Sequence, residues 1–193
     1  MRDIDIRQAV LGTMDHLHGG DSDTLIVQEL GLCQGIARVD IAVVNGSVHG
    51  YEIKSERDTL FRLPGQTNIY NRTLDFVTVV TEASHADAIR KAVPQWWGIW
   101  RAVQTRNRVV LKSLRIARRN PRIDPFALAQ LLWREEALQT LTDLGLAAGL
   151  RSKPREQLWR RLASELTLKE LGDIVRLHLK RRGQTWRSPS LQV

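Results

Sequence analysis

The sequence predicts an α/β fold, a sheet with helices on its faces, followed by an all-α C-terminal region. Three observations carry this. Runs rich in β-branched residues at 37–45, 47–55 and 76–81 alternate with segments of helical periodicity. Asn45-Gly46 stands between the first two runs, the strongest short hairpin signal a sequence offers. Beyond the basic stretch at 118–122 the pattern is helical only, which confines the sheet to the first part of the chain.

Taken in order, residues 4–18 read as a helix. Ile4, Val10, Leu11, Met14 and Leu17 fall near helical spacing, and Gly19-Gly20-Asp21 ends it. Residues 24–30 read as a strand or a short buried segment. The hairpin follows, with strands at 37–45 and 47–55. Residues 58–73 read as a helix interrupted near Pro64-Gly65, with its regular part running from about Gln66. The apolar run 76–81 reads as a central buried strand. A helix over 86–93 and two strands at 98–103 and 109–116 complete this part.

A boundary near 118–122 separates a core of residues 1–118 from a basic helical region at 123–183. Asp124-Pro125 is a helix start, a capping Asp followed by Pro at the first helical position. That helix is expected to run to about Leu144 and stop at Gly145. Thr167-Leu168-Lys169-Glu170 is a capping box that opens a last helix, expected to end near Arg182-Gly183. Residues 184–193 are expected to be a loose tail.

Composition excludes several classes. Charged residues make up 26 % of the 193 residues and hydrophobic ones 42 %, which is a globular balance rather than a disordered one. No stretch approaches the ~20 apolar residues a bilayer span requires. The first residues show no apolar signal segment, so the expected location is the cytoplasm, with no membrane partner. The single Cys33 rules out a disulfide framework or a cysteine-rich zinc site. No phosphate-binding Gly-Lys-Ser/Thr loop is present. Charge is polarised along the chain. Residues 1–99 hold nine Lys/Arg and thirteen Asp/Glu, whereas residues 100–193 hold twenty and eight. An acidic first half suits a metal site, and a basic second half suits phosphate contact or a solvated helix face.

The chemistry-bearing residues lie around the hairpin. Folding back at Asn45-Gly46 brings Asp40 and Glu52 together at one end of the sheet, where two carboxylates can hold Mg²⁺ or Mn²⁺. Lys54 follows Glu52 by two positions and so shares its strand face. Asp40 is set in an apolar run, Val39 to Val44, where an unpaired carboxylate is costly. A carboxylate pair, a divalent cation and an ammonium are the parts for hydrolysing a phosphodiester. The alternative is a plain surface ion pair between Glu52 and Lys54, worth ~0–1 kcal/mol.

Asp40 with Glu52-x-Lys54 resembles the PD-(D/E)XK nuclease superfamily, although Val39 stands where a proline is common. Gln66-x-x-x-Tyr70 is similar to an element found downstream of the lysine in RecB-type members. Arg38-x-Asp40-Ile41-Ala42, Gly50 to Ser55 and Pro94-x-Trp96-Trp97-Gly98 resemble a group of small bacterial and phage-borne proteins with the same signature. The resemblance covers about the first hundred residues well. It implies a restriction-endonuclease-like mixed sheet flanked by helices and a Mg²⁺- or Mn²⁺-dependent nuclease acting on nucleic acid, expected to be DNA. It also implies roles. Asp40 and Glu52 would bind the metal, with the Ile53 carbonyl and an upstream Glu29 as further ligands. Lys54 would orient water or stabilise charge on the phosphate, and Gln66 and Tyr70 would aim at the metal site or the backbone from one helix face. For Tyr70 a core position with a hydroxyl partner is the alternative. Ser55 and Arg57 are candidates for phosphate contact.

Residues 137–166 loosely resemble the SAP helix-turn-helix motif, which makes Arg151, Lys153 and Arg155 candidates for nucleic-acid binding. The alternative is a helical pair that only buttresses the sheet. Trp96, Trp97 and Trp100 read as core and sheet cover rather than stacking platforms. A catalytically silent nucleic-acid-binding module of the same fold is the competing function. The oligomeric state is left open by the sequence, although nucleases of this size often form a homodimer to cut both strands.

Overall fold

The computed structural model describes residues 1–186. Helix α1 (Asp3–His18) leads into strand β1 (Leu25–Leu32) and then the hairpin β2 (Ala37–Val44) and β3 (Val48–Lys54). Helix α2 (Leu63–Thr73) connects to β4 (Phe76–Thr81), and α3 (Ala83–Ala92) connects to β5 (Gly98–Gln104), which pairs with β6 (Val109–Arg115). Four helices follow: α4 (Pro125–Ala129), α5 (Arg134–Asp143), α6 (Arg155–Glu165) and α7 (Leu168–Trp186). The six strands form one sheet in sequential order. β1–β2–β3 are antiparallel, β3–β4–β5 parallel, and β5–β6 antiparallel. The sheet is therefore mixed, flanked by helices, with an all-α C-terminal region.

The two faces are covered differently. Ile6, Val10 and Met14 of α1 pack on Ile41, Val43, Tyr51, Ile53 and Val80. The opposite face carries α2, α3 and all four C-terminal helices, with Tyr70, Ile89, Leu128, Leu141, Leu162 and Val175 in a single apolar cluster with the strands. The C-terminal helices thus share the core of the sheet. Trp97 is fully buried, and Trp96 and Trp100 pack partly buried against opposite faces, so all three serve as core and cover.

Several local expectations need correction. The hairpin ladder closes at Val44↔Val48, which leaves a three-residue loop pinned by Asn45. Pro64 does not interrupt a helix. It lies in the first turn of α2, where its missing N–H costs nothing. The helix expected over 124–144 is two. Asp124 caps α4 through the N–H groups of Phe126 and Ala127, but the chain leaves the helix before Trp133. No Gly or Pro marks that break. The carbonyl of Leu131 accepts from Arg182, that of Leu132 accepts from the Trp159 indole, and Trp133 N–H donates to Glu136. Tertiary partners replace the helical ladder there. Gly145, at φ +72°, ends α5. The capping box at Thr167 and Glu170 opens α7, which runs past Gly183 to Trp186. Gly183 is a contact residue rather than a stop, since a Cβ there would lie 2.3 Å from a Leu25 methyl on β1. Of the tail expected at 184–193, residues 184–186 continue α7 and residues 187–193 lie outside the described residues.

Candidate active site

The site begins as a shared irregularity in β1 and β2. In β1 the buried face is Leu25 and Val27, then Leu30 and Leu32; in β2 it is Ala37 and Val39, then Ala42 and Val44. Alternation therefore slips by one residue in both strands, and the slips coincide. Gln28 pairs with Ile41 and Leu30 with Val39, leaving Glu29 opposite Asp40 outside the ladder. Glu29 sits at φ +57°, a left-handed conformation that costs of order 1–3 kcal/mol in a non-glycine residue. Such strain persists only where the surroundings impose it, and here it accompanies two carboxylates.

Asp40 is held from two sides. Its Oδ2 accepts from the Ile53 N–H at 2.7 Å, and its Oδ1 accepts from the Arg7 guanidinium at 2.6 Å. Arg7 also donates to the Asp40 carbonyl at 3.1 Å and pairs with Glu29 at 3.0 Å and Asp3 at 3.3 Å. Burial, and then the charge of Glu52, push the Asp40 carboxyl up to about 6. The Ile53 N–H and Arg7 pull the other way without winning.

Glu52 lies deeper, with its side chain 3 % exposed. Its Oε1 accepts from Lys54 Nζ and from Gln66 Nε2, each at 2.6 Å. Its Oε2 accepts from the Tyr70 hydroxyl at 2.6 Å. Lys54 Nζ also donates to Gln66 Oε1 at 3.0 Å, which closes a ring of Glu52, Lys54 and Gln66. Tyr70 is fully buried and stacks on Trp97 with ring centroids 5.9 Å apart, so the hydroxyl is aimed by packing. Burial and the negative charge of Glu52 hold that hydroxyl far above the ordinary phenol range, where it serves as a donor. Strand β3 supplies Glu52 and Lys54 from alternate positions, and α2 supplies Gln66 and Tyr70 from positions one turn apart.

The structure thus brings Asp40, Glu52, Lys54, Gln66 and Tyr70 into one corner. Of the expected metal set, Ile53 also donates its N–H to Asp40. The Glu29 carboxylate pairs with Arg7 and, at 3.6 Å, with Arg38. Among the described residues no three His, Cys, Asp or Glu converge as a metal-ligand group. Asp40 and Glu52 lie on adjacent strands, and the Arg7 guanidinium bridges Asp40 and Glu29.

Ser55 departs from expectation. It is 4 % exposed, and its N–H and hydroxyl both donate to Asp58, so it braces a turn instead of meeting phosphate. Arg57, Arg151, Lys153 and Arg155 are exposed. Arg7 is the participant that sequence reasoning missed. Its signal was present but faint: a cation next to buried Ile6, four residues after Asp3, on the inner side of α1.

The chain belongs to the family of bacteriophage P4 protein cII, whose model matches residues 1–189. Protein cII of Enterobacteria phage P4 is 27 % identical over 161 residues, which are 83 % of this chain and 60 % of that protein. The chain therefore spans about 60 % of the length of that relative. Among solved structures, the SPO1766 protein of unknown function from Silicibacter pomeroyi aligns with a TM-score of 0.50 at 14 % identity, over 100 % of this chain and 96 % of that one. That likeness concerns the fold alone.

Proposed function

We propose that the protein is a metal-dependent nuclease of the PD-(D/E)XK type, hydrolysing phosphodiester bonds of nucleic acid, in the first place DNA. One observation carries the reading. Glu52, Lys54, Gln66 and Tyr70 form a closed, buried hydrogen-bonded group beside Asp40, where the strain at Glu29 is stored. A buried ionised group is kept at such cost more often for function than for stability. Asp40 and Glu52 would hold Mg²⁺ or Mn²⁺, which supplies Lewis acidity and an acidified water when bound. Tyr70 and Gln66 fix the Glu52 carboxylate. Lys54 presents an ammonium that stabilises negative charge on the scissile phosphate. Arg7 holds Asp40 and Glu29 in place, and Arg57 and the basic helices offer phosphate contacts. Phage affiliation suits an enzyme of mobile elements.

The second reading, an accessory module that binds nucleic acid without turnover, is favoured by Arg7. Its guanidinium already neutralises the carboxylates that a metal would use. Cleavage of labelled plasmid and single-stranded DNA with Mg²⁺ or Mn²⁺ separates the two. The near-isosteric changes Asp40→Asn and Lys54→Gln, confirmed as folded by circular dichroism, are expected to lower cleavage at least about a hundredfold, as loss of a charge-stabilising donor does. Wild-type cleavage by both variants, or none by the native protein, refutes the catalytic assignment. Linear rather than nicked plasmid would support a homodimer acting on both strands.

A further inference from the structure

A cavity of about 370 Å³ opens beside the end of β1, between the Cys33–Gly35 turn and the C-terminal helices. Its chemistry is unlike that of the acidic corner. Trp133 is 53 % exposed, and one face of its ring is covered by the Arg182 guanidinium, 4.2 Å from the ring centre. Arg182 is pinned by Glu136 and the Leu131 carbonyl, and Trp133 N–H donates to the same Glu136, so the half-exposed indole is set in position. Arg155 lies over the buried Trp159 ring at 5.3 Å and donates to Gln34. Arg134 donates to the carbonyls of Arg151 and Lys153 at 2.7 and 3.2 Å. Its nearest carboxylate, on the solvent-exposed Glu135, is 4.0 Å away. The charges of Arg134 and Arg155 are thus met by carbonyls, an amide and an aromatic face rather than by close carboxylates. Gln34 joins the wall at φ +61°, between Cys33 at +47° and Gly35 at +86°. Two non-glycine residues in that region are strained, and the strain brings an amide to the cavity.

An open indole, two cations lacking close anions and a planar amide are complementary to a base, a phosphate and a base edge. We propose that this cavity binds one nucleotide unit, with its base stacked on the exposed indole of Trp133 and its phosphate against Arg134 and Arg155. The inference does not rest on the nuclease reading, because none of the cavity residues belongs to the acidic corner.

The test uses the full chain carrying Asp40→Asn, in EDTA, so that cleavage and metal binding do not enter. Anisotropy of fluorescein-labelled oligo(dT) reports affinity. Trp133→Ala is expected to weaken binding fivefold or more, the usual loss of one stacked base, while Trp133→Phe retains most of it. Arg155→Ala changes an exposed side chain and leaves folding intact. It should reduce the slope of log affinity against log salt by about 0.7, one single-strand phosphate contact. Competition by dTMP would show that a single nucleotide unit suffices and supports the site. Unchanged affinity for Trp133→Ala together with an unchanged slope for Arg155→Ala overturns it, as does inorganic phosphate competing as well as dTMP.

Discussion

The acidic corner and the arginine cavity lie at neighbouring parts of β1 and handle charge in opposite ways. In the corner each buried carboxylate is paired with a cation: Asp40 with Arg7, which also serves Glu29 and Asp3, and Glu52 with Lys54. In the cavity Arg182 is paired with Glu136, whereas Arg134 and Arg155 rest on carbonyls, an amide and an aromatic ring, with the exposed Glu135 4.0 Å from Arg134. The corner is internally neutralised, so a ligand there must exchange for a resident cation. The cavity's Arg134 and Arg155 have no buried carboxylate partner among the described residues, so an arriving anion has no buried ion pair to break. Buried pairs are coupled to stability, and exposed unpaired charges are coupled to binding.

The largest test of this contrast is Lys54→Ala. It would leave the Glu52 charge buried beside only neutral donors, and breaking such a pair costs about 3–5 kcal/mol. Urea denaturation of the variant reads this directly, and a loss below about 1 kcal/mol would mean that the pair is not electrostatically tight.

The next effect is in pH. Asp40 is held at about 6 in the folded protein, above its ordinary value of 3.8. A raised acid binds its proton more tightly when folded, so its contribution to stability is full below about pH 4 and is lost as pH rises through 6. The fall is at most about 3 kcal/mol at 1.36 kcal/mol per unit. Melting curves between pH 4 and 7 should show it in the native protein and not in Asp40→Asn. Equal slopes in the two proteins would remove Asp40 from the set of perturbed groups.

Arg7→Ala should cost about 1–3 kcal/mol at neutral pH by leaving Asp40 and Glu29 without their shared donor. Mn²⁺ should restore the melting temperature of this variant more than it raises that of the native protein, since a ligand that binds only the folded state stabilises by mass action. Equal shifts would show that the guanidinium and the metal do not compete. The smallest effect is expected from Arg155→Ala, within about 0.5 kcal/mol in stability, because its charge serves no buried carboxylate. A larger loss would make Arg155 a structural residue and weaken the contrast between the two regions.

Much of the candidate site is legible in the sequence. Glu52 and Lys54 share a face because strands alternate, Gln66 and Tyr70 because helices turn once in about four residues, and Asn45-Gly46 brings Asp40 back towards them. These are local rules, and local rules hold where neighbours in sequence set the conformation. Arg7 is not legible there, because a helical arginine near an acid is commonplace and its three acidic partners come from separate elements. Ser55 is misjudged for a similar reason: it is buried and tied to Asp58 at the root of an otherwise exposed turn, and composition does not mark which residue of such a turn is withdrawn from solvent.

The sequence by itself determined the strand order along the hairpin, the capped starts of α4 and α7, the apolar burial of β4 and the polarity of charge between the two halves. All follow from periodicity, capping and composition. Only the tertiary structure decided the left-handed Glu29, the break before Trp133, the extension of α7 past Gly183 and the cavity between β1 and the C-terminal helices. Each of these depends on a partner distant in sequence: Arg7 for Glu29, Arg182 and Trp159 for the break, Leu25 for Gly183. Backbone groups and charges withdrawn from water must be satisfied by whatever packing brings near, and nearness across the fold is not written in the local pattern.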